Sequence, residues 1–288
     1  MRESFGDRIF QCFNTFILCV IALIALIPLI CVVAMSFSSK AAVDMNLVSL
    51  WPVQFTLASW KYILKDAGLW WSYEITLIST LTGTFLALLV TALMAYPLSK
   101  KQFKFGKYIM LGVIITMIFK APIVPYFLTM RNIGLFNNPL VLILPHILSA
   151  YNLAIMRTFF QQFPAELEEA AMIEGCGHFR LLFKIVLPSS KAVLATLGLF
   201  YAVGIWNQFQ TPLMFLSDMN LFPLQMKIRQ MVNDSSELAT IATTAGVNYS
   251  ERTLRSAAVI FAIFSIVAVY PYLQKYFVKG AMLGSIKG

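Results

Sequence analysis

Apolar residues in this chain fall into long uninterrupted runs rather than an alternating or single-stripe pattern. Six runs stand out: Phe16–Met35, Ile75–Tyr96, Tyr108–Leu128, Pro139–Phe159, Ala192–Leu216 and Ala257–Val278. A helix crosses the roughly 30 Å hydrocarbon core in about 20 apolar residues, so each run is long enough to span. The pattern predicts an all-α integral membrane protein with six transmembrane helices. The first run exceeds the 7–15 apolar residues of a secretory signal and reads as an uncleaved span. The fifth is interrupted by Trp206, Asn207, Gln208 and Gln210. With no repeat and no Gly/Ser- or Pro-rich linker, residues 1–288 read as one transmembrane domain.

Basic residues in the short turns set the orientation. The turn "SKKQFKFGK" carries Lys100, Lys101, Lys104 and Lys107 and no acid, whereas the turn "TMRNIGLFNN" carries only Arg131. The first turn is therefore expected on the cytoplasmic side. Six spans then place both termini and the loop at about 160–190 in the cytoplasm, and loops 36–74 and about 217–256 outside. Trp51, Trp60, Trp70 and Trp71 in the first outer loop suit interfacial anchoring.

Composition agrees with a membrane protein. Of 288 residues, 59% are hydrophobic and 12% charged, about half the charge of a typical soluble domain. The net charge of +9 does not indicate nucleic acid, because the basic residues lie between apolar runs and form no single patch. The four cysteines, Cys12, Cys19, Cys31 and Cys176, have no metal-ligand spacing and suggest no disulfide framework. His146 and His178 are isolated, as packing or surface residues would be.

The polar interruption between runs four and five, "AELEEAAMIEGCGHFRLLFKIVLP", carries its own helix signals. Pro164 suits a first turn, and Glu166, Glu168 and Glu169 favour the positive end of the helix dipole. Gly175 is placed to end that helix in a left-handed conformation. A second helix then shows Phe179, Leu182, Phe183 and Val186 at i, i+3, i+4 and i+7, one apolar stripe, with Pro188 closing it. Two short helices at a glycine corner make either a surface-lying amphipathic hairpin or a protrusion. Ala170 and Ala171 would let another protein's cleft close on the latter.

The segment "EAAMIEGCGHFRLLFKIVLP" resembles the EAA loop of ABC importer membrane subunits: Glu-Ala-Ala, three residues, Gly, nine residues, Ile-x-Leu-Pro. Glu169, Ala170, Ala171, Gly175, Ile185, Leu187 and Pro188 keep every spacing. "YNLAIMRTFFQQFPAELEEAA", "LPSSKAVLATLGLFYAVGIWNQF" and "KYFVKGAMLGSIKG" are similar to the maltose-type oligosaccharide-importer permease, most of all the branch for complex polysaccharide fragments. The similarity covers nearly the whole chain. Glu174 stands where that family usually has Asp, Cys176 where it has Ala, and Ala192 where a Pro is common.

The resemblance implies a permease subunit without its own ATPase site, and no G-x-x-x-x-G-K-[ST] phosphate loop occurs in the sequence. ATP and Mg²⁺ would be bound by two partner ATPase subunits. Further implied partners are a second homologous permease subunit, an external solute-binding protein and an oligosaccharide substrate, in a bacterial cytoplasmic membrane. Glu169, Ala170, Ala171, Glu174 and Gly175 become ATPase-coupling residues, with Glu169 the ionic contact. The closing "GAMLGSIKG", with Gly284, Lys287 and Gly288, resembles a tail entering the ATPase interface; without the resemblance it reads as a frayed terminus. In "LFPLQMKIRQMVND", Leu224, Ile228, Met231 and Val232 share one helical face. That face reads either as an interfacial helix or, by resemblance, as one set against the external binding protein.

Polar groups inside a span are functional candidates. Trp206, Asn207, Gln208 and Gln210 could hold a sugar by stacking and hydrogen bonds, or bond neighbouring helices. Lys120 lies 13 residues after Lys107, about 20 Å along a helix, and is followed by the helix-opening "APIVP". It could meet an acidic sugar or snorkel to the outer interface. An ion-gradient secondary carrier would want carboxylates inside the spans, and Glu74 at an edge is the nearest approach. A membrane-embedded enzyme would want clustered catalytic polar groups, and the runs show none.

Overall fold

A computed structural model of the protein describes residues 5–233, 250–264 and 267, and the described residues form helices joined by turns and loops with no strand. Helix α1 (Phe5–Ser36) is apolar almost throughout and keeps Pro28 inside it. Its side chains from Ile9 to Ile30 are exposed, which for such a surface means lipid rather than water. Two short helices follow, α2 (Lys40–Asp44) and α3 (Ala58–Lys65). Ser39 caps α2 by accepting from the Ala42 N–H at 3.2 Å, and Phe37 stacks between Phe55 and Trp60 at 5.7 and 5.5 Å. Trp51, Trp70 and Trp71 are exposed.

Helix α4 (Ala67–Ser99) has 33 residues, about 50 Å at 1.5 Å per residue, so it overshoots the apolar layer and carries its end beyond it. Two helices that follow, α5 (Gly106–Ile118) and α6 (Ile123–Asn132), are bent by 118° at the break between them. This differs from the single span expected over Tyr108–Leu128. Pro122 is the reason: it denies the preceding residue helical geometry and cannot donate to the carbonyl four residues back. Alone, the 13 residues of α5 reach about 20 Å, short of a crossing.

The fourth run begins as 3₁₀ turns over Pro139–Leu142 and Leu144–His146 before α7 (Ala150–Gln161), with a 45° bend between them. Then come α8 (Ala165–Ile173), α9 (His178–Leu181), a π-helical turn over Leu182–Val186, α10 (Leu187–Ser189), α11 (Lys191–Trp206), α12 (Gln210–Phe215) and α13 (Leu224–Asn233). Residues 251–264 are helical, the described start of the sixth run. The fifth run is two helices, not one, broken over residues 207–209. Among the described residues two helices are single spans by length and composition, or up to five if each bent pair counts as one.

The described residues separate into two compact units, 5–70 with 228–233 and 250–264, and 71–227 with 267. In the first, the buried Ser59 and Thr253 hydroxyls bond at 2.9 Å, Arg252 donates to Asn46 at 2.9 Å, and Trp70 meets Phe261 edge-on. In the second, a core of Ala92, Ala95, Leu153, Met156, Leu197 and their neighbours joins α4, α7 and α11. Small residues allow these helices to approach: a Cβ on Gly83 would lie 2.8 Å from Ile205. Inside this contact the Tyr201 hydroxyl bonds the Thr91 hydroxyl at 2.7 Å and accepts from the Ser149 N–H at 3.0 Å.

Candidate functional site

The polar loop folds as its sequence signals require. Pro164 occupies the N-cap position, one residue before α8 rather than within its first turn, and Glu166 and Glu168 fall in that turn. The helix ends in a Schellman motif: the Gly175 N–H reaches Met172 O and the Cys176 N–H reaches Ala171 O, both at 3.0 Å. Gly175 has φ +79°, the left-handed region that other L-residues enter at a cost of about 1–2 kcal/mol. Nothing lies within 4 Å of a Cβ placed there, so the constraint at this corner is backbone conformation rather than space.

The second half departs from the expected stripe. Leu181, Leu182 and Val186 are buried at 0–2% exposure, while Phe179 and Phe183 are exposed at 74% and 44%. The π-helical turn explains the difference, because i→i+5 spacing aligns Leu181 with Val186 on the inward side. Pro188 promotes the irregularity, since it has no N–H for the carbonyl of Lys184. Ala171 also turns inward, packing with Tyr96, Phe160 and Leu182, whereas Ala170 is exposed. The paired alanines therefore do not present one thin outer face.

The carboxylates divide in the same way. Glu168 is buried and ion-paired with Lys100, at the end of α4. The Lys100 ammonium also lies 4.6 Å from the Tyr96 ring centroid. Glu166, Glu169 and Glu174 are exposed, and none of them has an ion-pair partner among the described residues. Around them Leu167, Met172, Ile173 and Phe179 are exposed, Ile173 to 87%. The hairpin is thus rimmed with acids and carries several exposed apolar side chains, the composition of a candidate interaction surface. Neither Ile173 nor the Lys100–Glu168 pair was apparent from the sequence. The absence of a third apolar position to complete a stripe with Ile173 is the nearest signal of its outward placement.

The other candidates are not gathered into one site. Trp206 is buried edge-on against Tyr73 with centroids 5.9 Å apart, and its indole N–H has no hydrogen-bond partner among the described residues. Gln208 is buried and donates to Leu142 O at 3.0 Å. Asn207 is exposed and its amide returns to Val203 O at 3.0 Å; Gln210 is exposed. These residues mark a helix break rather than the middle of a span. Lys120 is exposed within the α5–α6 break. Leu224, Ile228 and Met231 are buried along α13. Gly284, Lys287 and Gly288 lie outside the described residues, as does the side chain of Val232.

Comparison with known proteins adds independent evidence. The family model for binding-protein-dependent transport system inner membrane components matches residues 104–282. The chain is 37% identical to Protein LplC of Bacillus subtilis (strain 168), over 100% of this chain and 98% of that protein. It is also 37% identical to the polygalacturonan/rhamnogalacturonan transport system permease protein YtcP of the same organism, over 89% and 91%. Among solved structures it resembles a chain of a bacterial ABC transporter involved in the import of the acidic polysaccharide alginate. There the TM-score is 0.89 at 33% identity, covering 96% of this chain and 99% of that one. An all-helical fold built of apolar spans, an outward hairpin and these relationships agree: the chain belongs to the family of binding-protein-dependent transport system inner membrane components, the membrane subunits of ABC importers.

Proposed function

We propose that this protein is one of two membrane halves of an oligosaccharide importer and forms part of its translocation path. The observation that carries the reading is the α8–α9 hairpin, whose exposed Ile173 and Phe179, with Glu169 and Glu174 free of ion pairs among the described residues, form a docking surface for an ATPase. In this reading the hairpin is the cytoplasmic EAA coupling loop of a single six-span permease domain. Closure of two ATP- and Mg²⁺-bound partner subunits moves it, and with it the helices packed on its inner face. A second homologous permease and an external solute-binding protein complete the assembly in a bacterial cytoplasmic membrane, with both termini inside. The chain itself contributes no hydrolytic chemistry.

An acidic oligosaccharide is the favoured cargo. Two relatives carry names that refer to polygalacturonan/rhamnogalacturonan and to alginate, the latter described as an acidic polysaccharide. Lys120 is an exposed cation with no ion-pair partner among the described residues, at the break in the third run. The coupling reading is tested by placing a cysteine at Ile173 in a background lacking Cys176 and crosslinking it to cysteines in the co-expressed ATPase. A nucleotide-dependent crosslink is expected. Labelling of that cysteine by a membrane-impermeant reagent added outside intact cells would overturn the cytoplasmic placement.

A further inference from the structure

The four-lysine turn between α4 and α5 does more than set orientation. Only Lys100 is spent on a carboxylate, that of Glu168. Lys101, Lys104 and Lys107 are exposed, have no ion-pair partner among the described residues, and line one cavity of about 530 Å³ between α5 and the C-terminal end of α7. That volume falls in the range of small-ligand sites. Arg157 also lines it, with its Nε–H fixed on Leu98 O at 2.8 Å, and no acidic side chain among the described residues lines the space.

Beneath the cations the lining changes character within one helical turn. Lys107, Leu111 and Ile114 follow one another at i, i+4 and i+7, on a single face of α5, and all three border the cavity. Leu111 and Ile114 are exposed to 56% and 42%, and Tyr108 beside them to 72%. A cationic rim, a tyrosine at the boundary and an aliphatic wall below match the headgroup, glycerol level and acyl chain of an anionic phospholipid. Basic pockets between helices at a membrane surface bind such headgroups. We infer that Lys101, Lys104, Lys107 and Arg157 form a site for the phosphodiester headgroup of an anionic phospholipid, whose acyl chain lies along Leu111 and Ile114.

The experiment uses the purified importer complex, titrated with phosphatidylglycerol and followed by native mass spectrometry. Phosphatidylcholine is the zwitterionic comparator and inorganic phosphate the competitor. Each lysine near an anionic surface contributes about fivefold, so Lys101→Gln/Lys104→Gln/Lys107→Gln together should weaken phosphatidylglycerol retention about a hundredfold. The corresponding triple Arg variant should keep it. These side chains are exposed, so core packing is not at stake; because the same lysines orient the turn, unchanged placement of the triple Gln variant is checked by impermeant labelling of a cysteine in that turn. Undiminished phosphatidylglycerol binding by the triple Gln variant, or equal retention of phosphatidylcholine by the native complex, would overturn the site. So would displacement of the lipid by phosphate, which would make it a free-anion site. Loss of the ATPase subunits from the triple Gln complex would reassign the patch to a protein interface and also defeat the proposal.

Discussion

Lys100, just past the end of α4, is ion-paired with Glu168 in the first turn of α8, tying the long helix α4 to the outward hairpin across 68 residues of sequence. The pair is half-shielded: Glu168 retains 9% side-chain exposure and Lys100 27%. Its contribution should fall between a surface pair and a fully buried one, about 2 kcal/mol. Lys100→Met leaves a buried carboxylate uncompensated and should impair coupling, lowering uptake more than the ATPase activity of the assembled complex. The exchange Lys100→Glu with Glu168→Lys should recover much of the loss. Measuring uptake and ATP hydrolysis in proteoliposomes separates the cases, and an exchange variant as poor as either single one would dismiss the tie.

Gly175 provides the corner on which the hairpin turns. Because its φ is +79° and its surroundings are open, Gly175→Val should cost about 1–2 kcal/mol through backbone strain. Gly175→Asn, which tolerates that region better, should cost less. Uptake should fall in the order Gly, Asn, Val, while the partner ATPase remains able to hydrolyse ATP. Equal uptake by all three would show that the left-handed corner does not matter to coupling.

Ile173 and Ala171 are two residues apart and should respond differently. Ile173→Glu places a charge on an exposed surface, so the subunit should fold normally but recover less ATPase on affinity purification. Ala171→Trp forces bulk into a core where Ala171 is 7% exposed beside Leu182 and Phe160, an overpacking cost of about 1–3 kcal/mol. It should lower the yield and melting temperature of the subunit itself. Thermal unfolding in detergent, run beside the co-purification, distinguishes the two effects.

Tyr201 joins three elements through one hydroxyl, bonded to Thr91 and to the Ser149 N–H. Tyr201→Phe leaves both groups in a buried contact without that partner, at about 1–3 kcal/mol. A lower detergent melting temperature is expected, and an unchanged one would mean that other partners replace the hydroxyl.

Lys120→Met should reduce uptake of acidic oligosaccharides about tenfold, the scale of one charge contact of about 1.4 kcal/mol, and leave neutral ones near normal. Equal losses for both cargoes would remove the electrostatic role.

The helical class, the membrane environment and the glycine-cornered hairpin were legible in the sequence, because each is set by local or nearly local chemistry. Twenty apolar residues have no other stable arrangement in lipid, and a glycine after an acid-led helix has few rivals as a C-cap. The breaks were only half legible. Pro122 in the third run and the polar residues after Trp206 in the fifth signal trouble, but whether a helix bends or ends depends on what its freed backbone groups can reach. Gln208 found Leu142 O, 66 residues away. The pairing of Lys100 with Glu168, the inward turn of Ala171 and the gathering of three spare lysines against Arg157 were decided by tertiary structure alone. Periodicity states which residues share a face of one helix, but only packing decides what that face meets. In the second hairpin helix, a single π-helical turn kept Leu182 and Val186 of the expected face inward and left Phe179 and Phe183 outside.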